Sequence, residues 1–190
     1  NLCLNLMRQT KMPSWQHVAV SDAPTPAVFV EVKDGSTVFP LYLYLNGELP
    51  PTLFDHDNVR RPNLANGFIT DISARLKLNF LPDGKGNLKK SFGPEDVFAY
   101  LYAVFHAPSY RTRYAEFLKM DFPRLPLTGN LELFRALCRL GEELVGLHLM
   151  EKQASTITSY PQPGDNTVEA VRYDEAERRV YINKTQYFDG

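Results

Sequence analysis

Residues 94–127 read PEDVFAYLYAVFHAPSYRTRYAEFLKMDFPRLPL, and the parsing of this stretch decides the fold class. Pro94 suits the first turn of a helix, where a missing N–H costs nothing, and Glu95 and Asp96 behind it favour the positive N-terminal end. Val97, Leu101, Val104 and Phe105 then recur at helical spacing until Pro108 ends the run. A second short helix is expected from about Ser109 to Lys119, with Tyr110, Tyr114, Phe117 and Leu118 as its apolar stripe. Pro123 and Pro126 break the chain. Asn130 then offers a side-chain cap to a third helix carrying Phe134, Cys138, Leu144, Val145 and His148 on one side. The expectation is a central three-helix block over 94–150.

Strand signals lie on both sides of that block. Residues 1–54 are β-rich, with apolar runs at Leu2–Met7 and His17–Val20. Ala27–Lys33 and Thr37–Leu45 flank Asp34–Gly35, a strong hairpin signal. Pro40, inside the aromatic run Phe39–Tyr44, suggests an edge strand or a bulge. Residues 55–93 are polar, with one helix near Thr70–Leu78 and a turn-rich loop at Asp83–Asn87. Thr167–Tyr173 and Arg179–Ile182 alternate around the acidic turn Asp174–Glu177 and predict a β-hairpin within 166–188. Strands, a polar segment, helices and a hairpin do not make the regular βαβ alternation of a doubly wound sheet, so the fold class is α+β, with residues 1–190 read as a single domain.

Composition excludes several function classes. At 44% hydrophobic and 23% charged, the 190 residues sit in the globular range and can bury a core without disulfides. The two cysteines, Cys3 and Cys138, have no metal-ligand spacing and read as buried thiols of a reducing cytoplasm. No apolar run is long enough for a membrane span, and no signal peptide opens the chain, which begins at Asn1 on a strand-like run as though cut from a longer polypeptide. A net charge of −1 argues against a protein that simply coats nucleic acid. The charge is uneven, however: residues 55–93 carry a net +3 and residues 163–190 a net −2. A local basic face on a neutral domain suits a module whose neighbours supply much of the phosphate contact, and it equally suits a solvated surface.

The residues of a self-contained active site are missing. Leu49–Pro50–Pro51–Thr52 lacks both ends of the Asn/Asp-Pro-Pro-aromatic loop with which amino-methyltransferases hold a flipped base. Gly84–Lys85–Gly86 is too short for a dinucleotide or methyl-donor turn, and no phosphate-binding loop is present. Asp165 and Glu169 have the residue types of a metal-dependent nuclease, but Val171 stands where the lysine should be. Histidines 17, 56, 106 and 148 show no ligand spacing, and no serine sits in a nucleophile elbow.

As a whole, the stretch at 94–127 closely resembles the C-terminal specificity domain of single-chain type ISP restriction–modification enzymes and related large adenine methyltransferases. The resemblance is carried by Glu95–Asp96, Phe98, Tyr100, Tyr102–Ala103–Val104, His106, Pro108, Tyr110–Arg111, Tyr114, Leu118, Asp121–Phe122–Pro123–Arg124 and Pro126. Phe39–Tyr44, the helix from Arg135 to Leu149, and Val180–Asn183 with Gln186–Tyr187–Phe188 match its flanks in order, so the likeness spans 39–188. The family usually continues past the last of these into Gly-Gly-Tyr and Trp-Leu elements that are absent here, as are the methyltransferase motifs that precede the module.

The resemblance implies a target-recognition module for double-stranded DNA, attached in its parent to a methyltransferase domain that flips an adenine. The chain itself is then not an enzyme. S-adenosylmethionine, with ATP and Mg2+ as further candidates, belongs to the parent, and the setting is cytoplasmic with no membrane. Base edges in the major groove are read by Arg on guanine and by Asn or Gln on adenine, and phosphates by Lys and Arg. Polar, loop-rich segments supply the candidates: Arg8, Gln9 and Lys11; Asn58, Arg60, Arg61 and Asn63; and Lys85, Asn87, Lys89 and Lys90. Two rivals stand beside this reading. One is a protein-interaction or structural domain with Tyr42 and Tyr44 in a docking patch. The other is an enzyme with an unfamiliar site around Asp165 and Glu169.

Overall fold

Four consecutive buried residues, Cys3–Leu6, form β1, the middle strand of a three-stranded antiparallel sheet. It pairs on one side with β2 (Val18–Ser21, Leu4 opposite Val20) and on the other with β3 (Thr37–Pro40, Leu4 opposite Phe39). A strand buried on both faces reads as a continuous run, as Leu2–Met7 does. The one polar side chain in it, Asn5, is satisfied: its Nδ2 donates to Ser21 Oγ at 3.0 Å, and its Oδ1 accepts from Thr25 Oγ1 at 2.7 Å.

Pro40 closes β3 at the sheet edge, where its missing N–H breaks no ladder. After Leu41 the chain resumes as β4 (Tyr42–Tyr44), antiparallel to β5 (Arg60–Pro62). The Asp34–Gly35 hairpin is not formed as expected. Gly35 is left-handed (φ 71°), but β3 pairs with β1, and residues 27–31 form no strand. Residues 32–34 lie outside the described residues, which are 1–31, 35–44, 60–154 and 158–189 of this computed structural model.

Helix α1 (Asn66–Leu76) ends on left-handed Lys77. A short parallel pair follows, β6 (Asn79–Phe80) with β7 (Ser91–Phe92), bracketing the loop at 81–90. The helical block contains four helices: α2 (Pro94–His106), α3 (Pro108–Arg113), α4 (Ala115–Leu118) and α5 (Leu131–His148). The single expected second helix is thus divided at Tyr114, where φ −110° and ψ 18° leave the helical region, and Leu118 beyond the break is fully buried. Helix α5 starts where expected, with Asn130 Oδ1 accepting from Leu133 N at 3.0 Å.

Helix α2 is buried on nearly all sides, with Val97, Phe98, Tyr100, Tyr102, Val104 and Phe105 in the core, so its apolar stripe extends much further round than one face. Its main packing partner is α5. Aromatic edges link β7 to both helices: Phe92 to Phe134 at 6.0 Å and Phe134 to Tyr100 at 5.1 Å between ring centroids. The hydroxyls of Tyr100 and Tyr110 donate to Pro126 O at 2.6 Å and Arg124 O at 2.8 Å, which ties down the proline-rich exit segment.

These elements belong to one compact unit, Asn1–Lys152; residues 153–190 form a second. In the second unit the expected hairpin is present as β8 (Arg172–Asp174) and β9 (Arg179–Tyr181), and β10 (Tyr187–Asp189) adds a third antiparallel strand. Residues 167–171 stay outside the strand. The architecture is α+β. No helix among the described residues is long and apolar enough to cross a membrane.

Candidate nucleic-acid interface

The loop between β6 and β7 is shaped from three directions. From beneath, the buried carboxylate of Asp96 accepts from Gly86 N at 2.7 Å and Gly93 N at 2.8 Å, holding the middle of the loop and the residue after β7 on the first turn of α2. From within, Asn87 Oδ1 accepts from the backbone N–H groups of Lys89 and Lys90, at 2.9 and 2.8 Å. From the side, Arg135 Nε donates to Leu88 O at 2.6 Å and Tyr42 Oη accepts from Gly84 N at 2.8 Å. The packing leaves no room for a side chain at either clamped glycine. A Cβ on Gly86 would stand 2.3 Å from Ser91 O, and one on Gly93 would stand 2.2 Å from Gly84 O. Leu88 adopts φ 54°, a left-handed conformation that the surrounding hydrogen bonds must hold.

Burial pushes the Asp96 carboxyl above its ordinary value, against the two backbone N–H donors that pull it down. Burial thus disfavours the ionised carboxyl while the two N–H groups favour it, and their hydrogen bonds fix the loop backbone. Lys89 and Lys90 project from that backbone, exposed and with no ion-pair partner among the described residues.

Two of the three sequence-derived segments meet here. Arg60 on β5 pairs with Asp83 at 2.6 Å and lies 3.9 Å over the Tyr42 ring. Arg61, next to it, is exposed and forms no ion pair among the described residues. Asn63 spends its groups on the chain, its N–H on Leu41 O at 2.8 Å and its Nδ2 on Pro40 O at 3.0 Å. Lys85 holds Glu142 of α5 at 2.7 Å, and that hydrogen bond lowers the Glu142 carboxyl below its ordinary value. Asn58 falls outside the described residues.

The remaining segment lies elsewhere. Arg8 pairs with Asp121 at 3.3 Å, and buried Thr10 donates its N–H to Lys119 O at 3.1 Å, so this stretch rests against the end of α4. Gln9 and Lys11 are exposed. Sequence reasoning missed the residues that shape this loop, Asp96, Arg135 and Tyr42. A glycine before a helix-starting proline, with an acid three residues on, was the available signal for Asp96.

The rival sites are less organised. Tyr42 is 3% exposed and faces inward, which removes it from a docking patch; Tyr44 remains 46% exposed. An apolar cleft of about 360 Å3 opens among Leu4, Phe39, Leu64, Leu101, Phe122 and Leu125. Asp165 is fully exposed and accepts from Thr167 N at 3.0 Å, while Glu169 lines a hollow with Arg172, Tyr181 and Lys184 to which Asp165 does not contribute. Among the described residues, no group of three or more His, Cys, Asp or Glu side chains could hold a metal ion.

The fold has counterparts among known proteins. A family model described as the type ISP C-terminal specificity domain matches residues 1–190. Among solved structures, the cryoEM structure of a DrdV–DNA complex matches 100% of this chain and 18% of its own, with a TM-score of 0.63 and 21% identity. A nuclease-deletion mutant of the type ISP restriction–modification enzyme LlaGI, in complex with a DNA substrate mimic, matches 99% of this chain and 14% of its own, with a TM-score of 0.53 and 21% identity. The chain therefore spans less than a fifth of either. No curated protein matches it.

Proposed function

The chain belongs to the type ISP C-terminal specificity domain family, and from that premise we propose that it reads a target sequence in double-stranded DNA for a restriction–modification enzyme. The observation that carries this reading is the stapled loop at 84–93, which presents Lys89 and Lys90 on fixed backbone and is tied through Arg60 and Asp83 to the strand carrying Arg61. Fixed donors suit recognition, because little conformational freedom remains to be lost on binding. Lys89 and Lys90 suit phosphates, and Arg61 has the planar fork that matches a guanine edge. That two structures of similar fold are DNA complexes adds support.

In this reading the chain performs recognition and no bond-making. Methyl transfer to adenine from S-adenosylmethionine belongs to a methyltransferase domain of the same parent chain, together with any step that uses ATP and Mg2+. The setting is cytoplasmic. The full 1–190 span acts as one recognition domain, with its two units contributing to one specificity.

The test is binding to a random pool of duplexes across a range of salt. Combined Arg60/Arg61/Lys89/Lys90→Ala replacement is expected to weaken all duplexes and lower the salt slope by about 0.9 for each phosphate no longer neutralised. Arg61→Ala alone is expected to cost about 1–3 kcal/mol and relax preference at one base pair. Equal affinity and slope for the fourfold variant and the parent would remove this face, and would favour the rival reading in which the apolar cleft beside Phe39 and Phe122 docks another protein.

A further inference from the structure

A second cleft, of about 460 Å3, lies between the segment at 13–16 and helices α3 and α4. Its polar lining is made of Ser14, Gln16, Arg111, Thr112, Lys119 and the ring of Trp15, with His106 at the α2 end; among the described residues no carboxylate lines it. Arg111 is the decisive residue. It is half-buried, and its Nε is fixed on Phe105 O at 2.7 Å. Its guanidinium lies 5.8 Å over the Trp15 ring, and it has no ion-pair partner among the described residues. A cation removed from water usually has an anion to compensate it.

Trp15 adds an independent observation. It is 4% exposed, and its indole N–H is buried without an acceptor among the described residues. A buried donor with no partner is uncommon in folded proteins and points to something the site is built to receive. Lys119 supplies a further cation at the rim, shared with exposed Glu116 at 2.9 Å, and the hydroxyls of Ser14 and Thr112 are exposed there as donors.

We propose that this cleft is a phosphate-binding site, with Arg111 as its charged centre and the Trp15 indole, Thr112 and Lys119 around it. Inorganic phosphate and a duplex backbone phosphate present the same oxyanion. The duplex is the assigned source, and that part rests on the reading of the chain as a DNA-recognition module. Continuity supports it: the Thr10–Lys119 hydrogen bond joins this cleft to the segment carrying Arg8, Gln9 and Lys11.

Trp15 is the only tryptophan of the chain, so its emission reports on this cleft alone. The chain of residues 1–190 is titrated with inorganic phosphate and, separately, with duplex DNA over a salt series. Arg111→Gln removes the charge. Because Arg111 also holds Phe105 O, Thr112→Glu serves as a second variant, placing a carboxylate at an exposed rim position without disturbing the core. The wild type is expected to shift its emission with phosphate, and both variants to lose the shift. Both should also lower the duplex salt slope by about one unit, equally for all sequences. Trp15→Phe keeps an aromatic ring and removes the N–H; it is expected to weaken duplex binding about fivefold, the worth of one hydrogen bond.

If phosphate leaves Trp15 emission unchanged and both variants keep the parent's duplex affinity and slope, the proposal is overturned. If phosphate responds as expected but the duplex slope does not move, the site stands and its source is free phosphate. A wild type that binds phosphate here but no duplex at all refutes the DNA reading and leaves this site intact.

Discussion

Two loops in this chain are each organised by one buried polar side chain, and the two side chains differ in charge. Asp96 gathers Gly86 N and Gly93 N beneath the loop at 84–93. Gln186, 1% exposed in the second unit, accepts from Asn166 N at 3.0 Å and Asn183 Nδ2 at 2.9 Å, and donates to Asn166 Oδ1 at 3.0 Å. A carboxylate only accepts, so it suits a loop whose N–H groups converge. A carboxamide accepts and donates, so it suits a knot of mixed partners. The difference teaches that the loop bearing Lys89 and Lys90 is held by a group that titrates, while the carboxamide of the C-terminal knot does not.

The largest expected effect is from Asp96→Ala. It strands the buried N–H of Gly93 and the half-buried N–H of Gly86 and should destabilise the protein by about 3 kcal/mol in urea unfolding, with faster amide exchange across 84–93. An unchanged midpoint would break the comparison at its first member. Gln186→Ala should cost about 2 kcal/mol, with exchange accelerated at Asn166 and not in the loop at 84–93. Loss of protection in both places would mean the two knots are not separate.

Acid titration sharpens the contrast in charge. The Asp96 carboxyl is held above its ordinary value, chiefly by burial, so the native state keeps a proton that the unfolded chain has already released. The stability from this group is fully present at acid pH. It falls as pH rises from the ordinary aspartate range, about 3.9, through the raised native value, and is flat beyond. Asp96→Asn should lose this fall while keeping an acceptor oxygen, and Gln186→Glu should introduce a new pH dependence in the second unit. Parallel stability–pH curves for wild type and Asp96→Asn would show that charge is irrelevant beneath the loop. The smallest effect belongs to Lys85 and Glu142, 45% and 54% exposed. A double-mutant cycle should give about 0.5 kcal/mol or less, vanishing in high salt.

What the amino-acid order revealed follows the same division between near and far. The starts of α2 and α5 were legible because Pro94 and Asn130 act within one turn. The buried run at Cys3–Leu6 announced β1 through its own composition. Gly35 announced a reversal, but a turn signal does not say which strand becomes the neighbour, and β3 went to β1. The break at Tyr114 has neither glycine nor proline to mark it; burying Leu118 is a tertiary demand. Lys89, Lys90 and Arg61 could be picked out by polarity alone, whereas Asp96 reaching Gly86 spans ten residues and appears only once the loop has folded back.

Arg60 does not wait empty-handed: its fork already grips Asp83 and its plane already lies on Tyr42. Any incoming acceptor must be exchanged for the aspartate rather than simply added, so the contribution of Arg60 is a difference between two attachments. A lone phosphate oxygen offers little over what the arginine has, while a paired acceptor edge offers a full replacement. On the proposed reading of Arg60 as a DNA contact, Asp83 would be a competitor built into the chain.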